Sequence, residues 1–279
     1  RALGKGSAYS PASRGSSIIL FGMSLIVVGT MAFDCIETPF GKIDRIVGGS
    51  AIYAAYAASH FVKPIHQVSI VGADFPEEEM QALTQRGVQL SGVEVVKNKK
   101  SFFWSGKYHL DMNTRDTLIT DLNVLADFKP VLPESYQSAK YLMLGNLDPV
   151  VQSSVIAQLR ERPRLVVLDT MNFWMDIALD DLKAVLKHVD VLTINDEEAR
   201  QLSGEYSLVK AARIIRAMGP QTLIIKKGEH GALLFGSEGQ TFFCPALPLE
   251  EVFDPTGAGD TFAGGFIGDR KSTRLNSSH

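Results

Sequence analysis

Cysteine is scarce in this 279-residue chain: only Cys35 and Cys244 occur, far apart in sequence. They form no metal or redox motif and no disulfide framework, which favours a reducing compartment, the cytoplasm. The six histidines offer no HExxH and no paired spacing, so no zinc site is legible. No sign of charge dominates. With 28 Lys+Arg against 31 Asp+Glu the net charge is −3, which leaves no basic footprint for nucleic acid. The apolar run Ile18 to Phe33 is short for a membrane span, and Gly22, Gly29 and Thr30 interrupt it. Neither a nucleic acid nor a membrane is therefore expected as a partner. The phosphate motif GxxxxGK[ST] is absent, and Phe262 breaks any GxGxxG reading of Gly257 and Gly259.

What is present suits one soluble α/β domain, with 45% hydrophobic and 21% charged residues. Continuously apolar runs read as buried parallel strands: Leu25–Val28, Val68–Val71, Tyr141–Leu144, Leu165–Leu168, Val191–Ile194 and Leu223–Ile225. Helical patterns lie between them at Ser50–Phe61, Pro76–Gln85, Pro149–Leu159, Leu179–Lys187, Glu197–Leu202 and Val209–Met218. This alternation predicts a three-layer α/β/α sandwich with right-handed crossovers. Two stretches interrupt it, Glu37–Val47 and Gly92–Leu122. In the second, Val93, Val95, Phe102, Trp104, Gly106, Tyr108 and Leu110 alternate as in strands. Both fit a small accessory sheet, with an extra hairpin on the core sheet as the plainer alternative.

The most informative segment runs from Phe253 to Phe266, FDPTGAGDTFAGGF. It follows a turn-prone stretch and enters a small-residue apolar helix. Gly257, Ala258 and Gly259 fall in that helix's first turn, where unpaired N–H groups and the helix dipole favour an anion. Small side chains let a phosphate come close to the backbone. Asp260 sets a carboxylate beside this anion hole, and a base next to a phosphate cradle is what phosphoryl transfer to a hydroxyl requires. An ordinary glycine turn with a capping Asp is the bland reading of the short motif.

The longer string DPTGAGDTFAGGF resembles the signature of the ribokinase-like (PfkB) carbohydrate kinases nearly residue for residue, with Pro255 where Thr is frequent. The resemblance covers Met23 to Gly268. It implies a ribokinase-type sandwich with a small β lid, ATP-dependent phosphorylation of a sugar hydroxyl, and Asp260 as catalytic base. It also implies Mg2+, leaves room for a monovalent cation, and suggests a homodimer through the lid. A nucleoside kinase of the same fold, or a sugar- or nucleotide-binding regulator that keeps it, are the alternatives. Retention of Asp260 argues against the regulator.

The other candidates carry two readings each. Asp34 follows the first strand, where a carboxylate either holds acceptor hydroxyls, as in the resembled family, or caps a loop. Gly48 and Gly49 precede the Ala-rich helix, and Tyr53 stands where the family usually has a substrate-touching Asn. That departure bears on the acceptor's identity, and Tyr53 offers a ring for stacking a base. Asp169 and Asn172 end a strand as substrate or phosphate contacts, or as caps. Asn195 and Glu198 form a capping-box pattern. In the family the same N-x-x-E helps organise Mg2+ and phosphate, which suits Glu198 acting through water. Lys226, Gly228 and Gly231 mark the start of the family's nucleotide site, and Asp254 and Thr256 join it from the signature. Arg115 reads as an exposed lid charge.

Both ends look foreign to this unit. Residues 1–22 read as upstream translated sequence before Met23, with a signal or transit peptide as the alternative. Residues 269–279, DRKSTRLNSSH, resemble a translated sequencing adapter, so the expected kinase domain is 23–268, cut short at its C-terminus. A natural polar tail is the other reading.

Overall fold

The computed structural model describes residues 24–273, with side chains to residue 269. The expectations placed on residues 1–23 and on 274–279 lie outside them. In chain order the elements are β1 (Leu25–Val28), β2 (Ala32–Thr38), β3 (Gly41–Gly48), α1 (Ser50–Ala58), β4 (Ile65–Gly72), α2 (Glu77–Gln85), β5 (Val88–Val96), β6 (Phe102–Tyr108), β7 (Arg115–Asp121), β8 (Tyr141–Leu144), α3 (Pro149–Ala157), β9 (Leu165–Asp169), α4 (Asn172–Ile177), α5 (Leu179–Leu186), β10 (Val191–Asn195), α6 (Asp196–Ser203), α7 (Leu208–Ala217), β11 (Thr222–Lys226), β12 (Ala232–Phe235), β13 (Thr241–Cys244) and α8 (Ala258–Thr273).

Nine strands form the core sheet in the order β13-β12-β11-β10-β9-β8-β1-β4-β5. From β11 to β5 every pairing is parallel, and β12 and β13 add an antiparallel edge. The apolar runs are continuous because both faces are covered. One face packs against α3, α5, α6 and α7 through residues such as Val155, Leu182, Leu202 and Ile215. The other meets α1, α2 and α8 through Ile52, Ala55, Leu83, Ala263 and Ile267. The result is the expected three-layer sandwich. Among the described residues no helix is long and apolar enough to cross a membrane.

A second sheet of four strands, ordered β3-β2-β6-β7, stands apart from the core sheet. Two of the sequence expectations change here. Val93 and Val95, read with the accessory sheet, lie in β5 and pair with Ser69 and Val71 of β4. The α2 crossover returns the chain parallel to β4, and that places them at the core edge. The accessory sheet also begins earlier than Glu37. It starts at Ala32, so Asp34 lies within β2 rather than in a loop after β1. Double pairing of β2, antiparallel to β3 and parallel to β6, holds it extended. The helix α8 runs past Gly268 into the segment read as a tail.

Candidate active site

The site lies where β2, α1, β9, β10, β11 and the start of α8 converge, beyond the carboxyl ends of the core strands, as open α/β sheets place their ligands. Its centre is a buried ion pair. Lys226, the last residue of β11, donates from Nζ to both oxygens of Asp169, the last residue of β9, at 3.1 Å to Oδ1 and 2.9 Å to Oδ2. Parallel pairing of β10 with both β9 and β11 brings the two strand ends together. Burial alone would lower the Lys226 pKa, but Asp169, Glu198 and Asp260 outweigh it and hold the ammonium charged.

The first turn of α8 rests on this pair. A Cβ added at Gly259 would lie 2.8 Å from Lys226 Nζ. Asp260 follows, and enclosure by protein pushes its carboxyl up to about 7. The negative Asp169 adds to that push, while Lys226 and Arg115 oppose it. Glu198 is also raised to about 7, chiefly by burial, with Lys226 pulling the other way.

The glycine turn is one donor short of the sequence expectation. Ala258 N–H donates to Pro255 O at 3.1 Å, which closes the turn and removes it from the anion hole. The N–H groups of Gly257, Gly259 and Asp260 have no acceptor among the described residues. Gly257 has φ +74, a left-handed conformation that glycine adopts without strain. Upstream, Asp254 Oδ1 accepts from Thr256 N at 2.8 Å, and the Thr256 hydroxyl donates to Tyr108 of the second sheet at 3.2 Å. Asp254 and Thr256 thus shape the loop and tie it to β6.

The acceptor-side candidates gather on the other flank. Asp34 is only 5% exposed, and burial followed by Asp254 raises its carboxyl to about 7. A Cβ at Gly48 would overlap Asp34 Oδ2 and come within 3.1 Å of the Tyr53 hydroxyl. Gly48, Asp34 and Tyr53 therefore form one corner. Burial raises the Tyr53 phenol, and so do Asp34, Asp254 and Asp260.

Other candidates sit differently. Gly49 packs on Thr30, whose backbone oxygen a Cβ would overlap, so it serves the start of α1 rather than the cleft. Asn172 is exposed in the first turn of α4, and no hydrogen bond draws it to the cluster. Asn195 and Glu198 do form a reciprocal capping box. Glu198 N donates to Asn195 Oδ1 at 2.7 Å, and Asn195 N donates to Glu198 Oε2 at 2.8 Å. Gly228 and Gly231 bracket a 3-10 turn after β11. Gly228 lies against Asn113 in the β6–β7 connection, which carries the second sheet across to this end of the cleft.

Sequence reasoning set two residues aside that the structure brings in. Arg115 is exposed in β7, as read, and it also acts electrostatically on Asp260 and Glu198. Tyr108 pairs directly with Arg115 in the β6–β7 register and holds Thr256. For Tyr108 the alternation in the strand pattern was the available signal, but it did not say which face meets the core.

The comparisons with known proteins agree with this fold. The family model described as pfkB family carbohydrate kinase matches residues 23–272. The chain is similar to a cytidine kinase of Thermococcus kodakarensis, with 29% identity covering 88% of this chain and 87% of that protein. It is also similar to a 2-dehydro-3-deoxygluconokinase of Thermoproteus tenax, with 27% identity covering 80% and 73%. Among solved structures, an E. coli protein described as ribokinase II, in complex with ATP and Mg2+, superposes with a TM-score of 0.75 at 19% identity, covering 92% of this chain and 87% of that one. The two-sheet fold and the signature around Asp260 thus have one source: the chain belongs to the pfkB family of carbohydrate kinases.

Proposed function

We propose that this protein transfers the γ-phosphoryl group of ATP to a hydroxyl of a sugar or sugar-like acceptor, with Asp260 as the base. The observation that carries this reading is the first turn of α8. There a carboxylate raised to about 7 adjoins three unpaired N–H groups, those of Gly257, Gly259 and its own. A carboxylate is too weak a base to ionise an alcohol beforehand. Asp260 therefore accepts the proton as the oxygen attacks phosphorus, and positioning and charge stabilisation supply most of the acceleration. The free N–H groups and Lys226 face the charge on the moving phosphoryl group. Asp34, at the Gly48–Tyr53 corner, accepts hydrogen bonds from the acceptor's hydroxyls, and the four-stranded sheet serves as the lid over it.

Mg2+ fits the donors present. No group of three or more His, Cys, Asp or Glu among the described residues forms a dedicated metal cage. Both Asp169 oxygens are taken by Lys226, whereas Glu198 Oε1 has no hydrogen bond among the described residues. Mg2+ keeps most of its waters and needs one or two carboxylates, so Glu198 would hold it through water, and Gly228 and Gly231 border the nucleotide. Bound there with ATP, Mg2+ would neutralise charge on the β- and γ-phosphates.

A nucleoside acceptor is the second reading, favoured by the similarity to a cytidine kinase across most of both chains. ATP consumption measured over ribose, 2-dehydro-3-deoxygluconate, cytidine and adenosine separates the two. In the same assay Asp260→Asn should lower turnover roughly 10²–10⁴-fold, the usual scale for loss of a general base. Near-normal turnover in that variant would sink the assignment.

A further inference from the structure

Tyr53 is out of keeping with its helix. The sequence of α1 is SAIYAAYAA, small residues that let α8 lie close, and Tyr53 is one of two large polar side chains on it. Tyr56, the other, has a clear structural job: its hydroxyl donates to Glu79 at 2.5 Å, and Arg86 stacks on its ring at 4.9 Å. The Tyr53 hydroxyl makes no hydrogen bond with any described residue, while its backbone N–H donates to Gly49 O at 3.2 Å. Its ring instead lies directly beneath the glycine turn. A Cβ placed at Gly257 would overlap ring carbons along one edge of Tyr53, so ring and backbone touch with nothing between them. Gly257 is also the residue whose left-handed φ of +74 starts α8, and its carbonyl accepts the helix's first bond, from Thr261 N at 2.8 Å.

We propose that Tyr53 is a positioning residue: its ring supports the Gly257 turn from α1 and so fixes where the free N–H groups and Asp260 stand relative to the Asp34 corner. The proposal rests on the reading of Gly257–Asp260 as the phosphate-facing turn. It follows that the face of the ring turned toward Gly257 is occupied and is not a platform for a nucleobase. The phenol oxygen, 3.1 Å from a Cβ built on Gly48, is the part of Tyr53 that points to the acceptor corner.

Two substitutions separate the ring from the hydroxyl. Tyr53→Phe keeps the flat support, and Tyr53→Leu keeps most of the volume but not the shape. Hydrogen exchange of the peptide spanning Phe253–Phe262 needs no substrate and reads the turn directly. Exchange should be unchanged in Tyr53→Phe and at least tenfold faster in Tyr53→Leu, while peptides from β8 to β10 stay as in the wild type. The dissociation constant for Mg·ATP should stay within twofold in Tyr53→Phe and rise at least fivefold in Tyr53→Leu. Should Tyr53→Leu fail to fold, Tyr53→Met serves the same comparison. Equal exchange in the Leu or Met variant and the wild type overturns the proposal, as does a Phe variant as loose as either. A wild type that binds no Mg·ATP would count against the kinase reading instead, and the exchange result would still decide the role of Tyr53.

Discussion

Asp260 must be ionised to accept a proton, yet it sits where charge is costly. Its carboxyl is held at about 7 by enclosure and by Asp169, with Lys226 and Arg115 keeping it from rising further. The pH dependence follows with a definite sign. Below about 7 the base is protonated and cannot take a proton from the acceptor, so kcat/KM should fall toward tenfold per unit as pH drops, and level off above 7. A profile flat from pH 5.5 to 8 would contradict the assignment. Glu198 is a sharper test, because two roles overlap in one side chain. As half of a capping box it should tolerate Glu198→Gln with little change in stability, since Gln caps equally well. As the carboxylate that steadies Mg2+ through water it should not. Near pH 4, where folded Glu198 is protonated and its charge penalty is absent, the variant should melt within about 2 °C of the wild type, roughly 0.5–1 kcal/mol for a chain of this size. It should also need several-fold more Mg2+ for half-maximal rate. An identical Mg2+ titration would reduce Glu198 to a cap.

At the scale of elements, the site depends on how closely α8 lies against α1. A Cβ at Gly264 would come within 2.5 Å of Ala54 Cα, so the crossing requires a hydrogen there. That approach sets Gly257 on Tyr53 and Gly259 beside Lys226. Gly257→Val should fail on two counts, through strain at a positive φ and through overlap with the Tyr53 ring. We expect a loss of about 1–3 kcal/mol in stability, the range for strained or overpacked positions, and weakened Mg·ATP binding beyond what the thermal loss explains. If the variant folds and binds Mg·ATP as the wild type does, the turn is only a helix start. The elements also show what the sequence made legible. Leu25–Val28 and Tyr141–Leu144 were readable because strands covered on both faces are apolar throughout. The signature around Asp260 was readable because the whole string DPTGAGDTFAGGF, rather than the common glycine turn with a following Asp, carries the resemblance. Val93 and Val95 were misplaced because alternation looks the same at a core edge and in a lid. Asp34 was read as following the first strand because β2 starts soon after Val28, and its parallel pairing with the distant β6 leaves no local mark. Arg115 was read only as an exposed lid charge, which it is in β7, and nothing in strand parity says that it acts on Asp260 and Glu198.

For the molecule as a whole, the site is a concentration of like charge that folding has to tolerate. Asp34, Glu198 and Asp260 are each raised to about 7, with burial the leading cause. A carboxylate whose folded pKa lies above its unfolded value binds more protons in the native state than in the unfolded one. Stability therefore declines as pH rises from the unfolded pKa, about 4, through the folded value, about 7, and the full penalty applies above that. Asp260→Asn removes one of the three charges while keeping the shape, so the variant should be more stable than the wild type where the penalty is complete. At pH 8 an advantage of about 1–2 kcal/mol would appear as a Tm higher by about 2–8 °C. Near pH 4 the folded wild type carries a protonated Asp260 and the unfolded chain a roughly half-protonated one, so little of the penalty remains and the two melting curves should nearly converge. The comparison separates a catalytic carboxylate from a structural one. A carboxylate that stabilises the fold by capping α8 would give the opposite sign at pH 8, with the Asn variant melting lower. A variant that loses turnover and melts higher at pH 8, but not at pH 4, is what a strained base in the cleft requires. One that melts lower at every pH would mean that Asp260 holds the helix rather than the proton.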